Sequence, residues 1–413
     1  MKQILHMSLS TQIFISMILG SLAGLVFGEE MKALAFIGDI WLNCIKMIVV
    51  PMVVCTIVSG IISQEQPGAL KRVSVKIISY YVLTTIIACV VGLATAALIQ
   101  PGQYANFAGL ASREIKGTAD MTFTGFVTGL FSTNVFKSFT NGNIVQTLII
   151  SLFFGVAILR IKNDRTRQFM KDFFNASADM IFSMIGMVMK ASPIGIFFLM
   201  GNSFGQYGAG IFTSMAILLG TYYMACLLQV FLVYGGFLLV FAHINPFSFV
   251  RKSAELWLYT MSTCSSIASI PINIRVAKEK FRVPERISGF TIPLGSQMNT
   301  DGSVLLYGCV ILFIAQMVGQ SFTLMELVSV VFVCTIMSMG GGGIPGSGIV
   351  KLMVVVQAVG LPIEIVGVIA AFYHLFDMGT TTNNCLGDLV GTVVVSETEK
   401  KYMEDHPARS DDR

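Results

Sequence analysis

The chain has 413 residues, 54% of them hydrophobic and only 12% charged, with a net charge of +4. An ordinary soluble domain carries roughly 25% charge, and a mean hydropathy of +0.76 implies more apolar surface than a water-soluble core of this length could bury. Together with apolar runs of about 20 residues or more, each long enough to cross a bilayer, this excludes a soluble enzyme, a nucleic-acid-binding module and a disordered scaffold, and predicts an all-α polytopic membrane protein.

In chain order the apolar segments are 9–28, 35–62, 77–99, 121–159, 180–204, 210–243, 287–318, 327–356 and 362–395. The N-terminus, with Lys2 and no small-residue cleavage signature, reads as the approach to a first span rather than a removed signal peptide. Lys and Arg alternate between the segments. Lys2, the clusters at 71–76, 160–171, 251–252 and 275–286, and the C-terminal tail place twenty basic residues on one side. Only Lys32, Arg113 and Lys116 fall on the other. The positive-inside rule then puts both termini in the cytoplasm, as expected for a multi-pass protein of the cytoplasmic (inner) membrane. The eight cysteines form no CxxC pair and nearly all lie in apolar runs, where the thiol is a small hydrophobe.

Segment 253–274 is flanked by basic residues at both ends and contains MSTCSSIASIPINI, too polar to face lipid. It reads as a re-entrant hairpin entering from the cytoplasm, with a serine-rich tip and an interruption at Pro271. Segment 327–356 repeats the theme from outside, around the glycine-rich SMGGGGIPGSG at 338–348. Irregular backbone at membrane depth survives only against protein or a water-filled cavity, and paired interrupted segments point to a transporter's binding site.

Intramembrane acids come next, since each costs at least ~2.5 kcal/mol to insert. Asn299, Asp301 and Ser303 stand beside Gly295 and Gly302 within one span; unwound backbone and carboxylate oxygens there suit a hard cation such as Na⁺. In the last span, at 100° per residue, Asn384 and Asp388 lie about 20° to either side of Asp377, and Thr380 and Thr381 flank the stripe, so Asp377, Thr381, Asn384 and Asp388 share one helical face. Such a stripe suits an ammonium group at one end and a cation at the other. Leu386-Gly387-Asp388 with Phe376-Asp377 also raises an intramembrane aspartyl protease, but that chemistry needs carboxylates about 3 Å apart, whereas eleven residues of helix separate these by about 16 Å. The four histidines make no metal-ligand spacing, and His374 reads as a packing or locally bonded residue.

In this order, six spans, a serine-rich hairpin, a broken seventh span, a second hairpin and a polar eighth span resemble the glutamate transporter family, the dicarboxylate/amino acid:cation symporters, over nearly the whole chain. The family's NMDGT motif is matched by Asn299-Thr300-Asp301-Gly302-Ser303, and its DMGRTxxNVxGD pattern by residues Asp377 to Asp388. The resemblance implies a homotrimer working by an elevator-like movement. A trimerisation scaffold would comprise residues 1–65 and 106–207, a transport domain residues 66–105 and 208–398, and residues 399–413 a cytoplasmic tail. It also implies three sodium sites: Gly295, Asn299, Asn384 and Asp388; the backbone of Gln297, Ser338, Met339 and Gly341; and Tyr81, Thr84, Thr85, Asn299 and Asp301. The substrate pocket would be lined by Ser265, Ser266, Ser303, Ile344, Gly348, Asp377, Thr380, Thr381 and Asn384.

Departures from the family pattern speak to the substrate. Members that take aspartate or glutamate carry an arginine where this chain has Thr380, and many bacterial members carry one where it has Cys264. Without either, a buried side-chain carboxylate lacks a partner. The expectation is therefore a Na⁺-coupled symporter, resembling the family's neutral amino acid transporters and taking serine, threonine, alanine or cysteine, with Asp377 on the ammonium and Asn384 on the α-carboxylate. The alternative is symport of an acidic amino acid or dicarboxylate, coupled to Na⁺ or H⁺.

Overall fold

A computed structural model describes residues 9–62, 71–104, 128–129, 131–208, 210–339 and 347–405. The described residues are helical almost throughout and contain no strand. The first long helices are α1 (Leu9–Phe27), α2 (Ala35–Ile62) and α3 (Lys71–Ile99). After α4 (Val135–Thr140) come α5 (Ile144–Leu159), α6 (Asp164–Lys190) and α7 (Ser192–Tyr207). Helix α8 (Gly210–Leu228) continues through wider π-helical turns at Gln229–Tyr234 and Leu238–Ala242. The remainder is α9 (Pro246–Lys252), α10 (Ala254–Thr263), α11 (Ser266–Phe281), α12 (Glu285–Met298), α13 (Asp301–Met317), α14 (Leu324–Ser338), α15 (Ser347–Ala358) and α16 (Glu364–Asp405).

Helical stretches 11–62, 72–99, 210–242 and 285–317 are long and apolar enough to cross a membrane, the first of them with residues to spare. Many large apolar side chains lie exposed on these helices, among them Leu22, Val75, Leu83, Val90, Leu232 and Val240. In water they would be a liability; in hydrocarbon they are the lipid face. The most extensive packing falls into two groups, which share one core through α15 on α2 and α16 on α7. Helix α1 lies on α7, and α2 on α5, α6 and α7; in the second group α13 packs on α3 and α16, and α16 also contacts α10, α11 and α12. The second group holds the polar residues singled out above.

Two expectations need correction. The helices part at the serine-rich stretch, at Cys264 and Ser265, but Pro271 sits inside α11 and does not interrupt it. Cys264 adopts a left-handed conformation, φ +47°, and closes α10; Ser265 is extended, and its Oγ accepts from Ala268 N at 3.2 Å to start α11. A side-chain cap satisfies an orphan N–H at a helix start, whereas Pro271 costs α11 a single hydrogen bond. The segment read as 180–204 is two helices. Helix α6 begins far earlier, at Asp164, capped by Asn163 Oδ1, and bends by 53° into α7, where Pro193 occupies the first turn. Proline is tolerated there because its missing N–H would be an orphan in any case. The polar first half of α6 hid its start from hydropathy alone.

At the basic end of α3, Arg72 Nε donates to Glu399 of α16 at 3.0 Å and Lys76 Nζ approaches the same carboxylate at 2.7 Å. Burial pushes the Glu399 carboxyl up, but the hydrogen bonds and charges of Arg72 and Lys76 outweigh it and hold the group below the ordinary carboxylate value. A lowered folded-state pKa contributes stability above the unfolded value of about 4.3, lost as pH falls through the folded one. Glu399→Gln should therefore cost about 1–2 kcal/mol at neutral pH, with the difference from wild type vanishing at strongly acidic pH. Thermal melts of purified protein across pH check this.

Candidate functional site

Three elements converge on the polar centre. The α12–α13 run is broken at Asn299 and Thr300, both non-helical; α16 passes unbroken alongside; and α3 supplies the Tyr-Tyr-Val-Leu-Thr-Thr stretch at 80–85. The break exposes main-chain groups that a continuous helix would satisfy internally. Ser338, the last residue of α14, stitches them: its Oγ donates to Met298 O and accepts from Thr300 N and Thr300 Oγ1, each at 3.0 Å. Thr300, which stands where the family motif has methionine, thus ties the break to α14.

Of the first predicted ion set, Gly295, Asn299 and Asp388 are brought together, while Asn384 Oδ1 accepts from Gly302 N. Asn299 Nδ2 donates to Asp388 Oδ1 at 3.0 Å, and Asn299 N to Gly295 O at 2.7 Å. Gly295 has to be glycine, because a Cβ there would lie 2.3 Å from Asp388 Oδ1 and 2.5 Å from Tyr81 Oη. Asn299 is fully buried, and its Oδ1 has no hydrogen-bond partner. A buried amide oxygen left unpaired is costly, and beside a carboxylate it is a ready ligand for a cation.

The second and third predicted sets fare differently. Ser338 and Met339 end α14 at the break, Gln297 has an exposed side chain, and Gly341 lies outside the described residues. In the third set Thr85 Oγ1 donates to Asp301 Oδ1 at 2.8 Å, and Thr84 Oγ1, 3.2 Å from Tyr81 O, also faces the Asp301 carboxylate. The Tyr81 hydroxyl points to Thr291 O at 2.9 Å and stands beside Gly295 and Asp388 rather than on Asp301. The other Asp301 oxygen is held by a residue absent from the predicted set: Tyr234 Oη donates to Asp301 Oδ2 at 2.9 Å and to Asn383 O at 3.1 Å. Tyr234 closes the π-helical turn of α8 that begins at the buried Gln229. A glutamine and a tyrosine inside an otherwise apolar span were the available signal, since polar groups at membrane depth are expensive and face the interior.

The predicted substrate residues gather around the middle of α16. Asn384 Oδ1 accepts from Gly302 N at 2.8 Å, which leaves its Nδ2 as the donor able to meet a carboxylate. Thr380 Oγ1 donates to Asp377 Oδ1 at 3.0 Å and to Asp377 O at 3.1 Å. Thr380 and Thr381 are buried while Asp377 is half-buried, so the carboxylate is the most accessible of the three. Ser303 is buried on the first turn of α13, and Gly348 sits in the first turn of α15. From the first hairpin, Cys264 Sγ reaches to 3.8 Å of His374 Nδ1, one turn before Asp377. Ser265 is spent on capping α11 and Ser266 is buried beside Cys385. Ile344 lies outside the described residues. Asp377 and Asp388 share one unbroken helix, which excludes a proton-sharing carboxylate pair, and the described residues hold no cluster of His, Cys, Asp or Glu suited to a transition metal.

A broken helix and an acid-bearing helix beside it, inside an all-helical apolar fold, point to a secondary transporter rather than an enzyme. The sequence pattern of the Sodium:dicarboxylate symporter family matches residues 9–398, and the chain belongs to that family. It is 31% identical over 407 residues to a proton/sodium-glutamate symport protein of Bacillus caldotenax, covering 96% of each chain. It is 30% identical to a C4-dicarboxylate transport protein of Verminephrobacter eiseniae, over 98% of this chain and 92% of the relative. A C4-dicarboxylate transport protein of Agrobacterium fabrum is 31% identical, over 99% of this chain and 92% of the relative. All three names carry acidic substrates, not the neutral amino acids expected from Thr380. The protein is a multi-pass membrane symporter of a sodium-coupled family.

Proposed function

We propose that the protein is a Na⁺-coupled symporter of a small neutral amino acid. Asp377 takes the substrate ammonium, Asn384 Nδ2 the α-carboxylate, and Thr380 and Thr381 border the side chain. The observation that carries this reading is the Thr380–Asp377 pair: at the position where an acid-binding arginine would stand, a hydroxyl is committed to the neighbouring carboxylate. Sodium would sit at Gly295, Asn299 and Asp388, with the unpaired Asn299 Oδ1 in support, and further ions at the Asp301 set and beneath the second hairpin. The wider reading includes eight spans with two re-entrant hairpins, cytoplasmic termini and a homotrimer. The two packing groups support a division into a scaffold and a moving transport domain.

The second reading is symport of an acidic amino acid or dicarboxylate, and the names of the relatives favour it directly. It requires a cation for the second carboxylate. Lys351, buried in α15 three residues beyond Gly348, and His374 on α16 are the basic residues at hand in the pocket-forming helices. Proteoliposomes loaded under a Na⁺ or a proton gradient decide between the two. Unlabelled serine, alanine, aspartate, glutamate and succinate compete against labelled serine, and against labelled aspartate in parallel. Strong competition by serine and alanine alone supports the neutral reading; uptake of aspartate or succinate in preference to serine overturns it. In the neutral case Thr380→Arg should shift preference toward aspartate by tenfold or more, since a guanidinium holds a carboxylate bidentately and fills the space of a small side chain.

A further inference from the structure

Tyr373 has no part in the ion sites or the substrate contacts described above, yet it is a bulky side chain set between Thr380 and the first turn of α15. It is 4% exposed, on α16. At 100° per residue it lies about 40° from Asp377 and about 20° from Thr380 around the helix, so all three share one face. Its hydroxyl lies next to the Thr380 side chain. On its other side it meets the first turn of α15 so closely that a Cβ on Gly348 would fall 1.7 Å from Tyr373 Oη and 2.8 Å from Cζ. A real Cβ cannot exist at that separation. Gly348 is glycine because Tyr373 is there.

We propose that Tyr373 is a specificity-determining residue: its phenol spans the gap between the second hairpin at Gly348 and the Thr380–Asp377 pair, and so limits the length of the substrate side chain. An amino acid held by its ammonium at Asp377 and its carboxylate at Asn384 projects its side chain toward Thr380, where the phenol forms the end wall. Side chains of the size of serine, alanine, cysteine or threonine fit in front of it. Leucine or methionine would have to displace the ring, which is pinned between two helices. Close-packed interiors do not yield that volume cheaply.

This rests on the pocket proposed above, and the test separates the two. Full-length protein in proteoliposomes under a Na⁺ gradient is assayed for competition by alanine, serine, threonine, methionine and leucine. For wild type, apparent affinity should fall with size; for Tyr373→Ala, methionine and leucine should gain at least tenfold relative to serine. Gly348→Ala should lose uptake in the wild-type background and regain much of it alongside Tyr373→Ala, because the clash is then gone. A uniform loss across the series with unchanged rank order, or no rescue of Gly348→Ala, overturns the inference. Tyr373→Leu, which keeps apolar bulk near α16 without reaching Gly348, serves with the same criteria if Tyr373→Ala does not assemble. If wild type transports only acids, the neutral reading fails. The size series of aspartate, glutamate and 2-aminoadipate, read by the same rank-order criterion, still judges Tyr373.

Discussion

Asp377→Asn should abolish measurable substrate binding while leaving the protein folded. Asparagine keeps the shape of the side chain and an oxygen to receive the Thr380 hydroxyl, now at 3.0 Å from Asp377 Oδ1, so local structure is retained. What is lost is the charge that offsets the desolvation of an ammonium group. Removing one partner of a buried ion pair costs about 3–5 kcal/mol, which is a hundredfold or more in affinity. Equilibrium binding of labelled substrate, set beside a thermal melt of the same preparation, checks both halves. Near-normal affinity in the variant would place the ammonium elsewhere.

Asp388→Asn addresses the ions. In the wild type, Asp388 accepts from Asn299 Nδ2 while Asn299 Oδ1 stays unpaired; the carboxylate supplies the charge and the amide oxygen a ligand. Because ion and substrate affinities are linked reciprocally, substrate affinity should rise steeply with Na⁺ in the wild type. In Asp388→Asn the slope of log affinity against log Na⁺ concentration should fall by about one ion. An unchanged slope would remove Asp388 from the ion set, and uptake driven equally well by protons in sodium-free buffer would remove sodium as the coupling ion.

The parts of this site that were legible in the sequence are those where polarity intrudes on an apolar span. The break at Asn299 and Thr300 was readable because Gly295, Asn299, Asp301 and Gly302 crowd one short stretch. The stripe on α16 was readable because helical periodicity needs no tertiary information, and α16 proves continuous. The break between α10 and α11 falls in the serine-rich stretch, made by backbone conformation at Cys264 and a cap at Ser265, whereas the interruption expected at Pro271 is absent because α11 carries the proline within it. The start of α14 carried a signal that went unread: Thr323 and Glu326 form a reciprocal capping box, with Thr323 N donating to Glu326 Oε2 at 2.7 Å. Tyr234 escaped because its partner Asp301 is 67 positions away, and only the fold brings them together. The direction of the Tyr81 hydroxyl, toward Thr291 instead of Asp301, likewise depends on side-chain geometry that no spacing encodes.

The hydroxyl of Ser338 has a kinetic meaning. One oxygen holds the end of α14 to Met298 and Thr300 at once, so α14 cannot part from the break without unpairing main-chain groups of both residues. Those groups are buried from water, and exposing them unpaired is expensive. Opening is therefore fast only when something else takes over the freed carbonyls and N–H groups, whether water entering with the motion or an ion leaving. The same three bonds that order the site at rest set a ceiling on the rate at which it leaks.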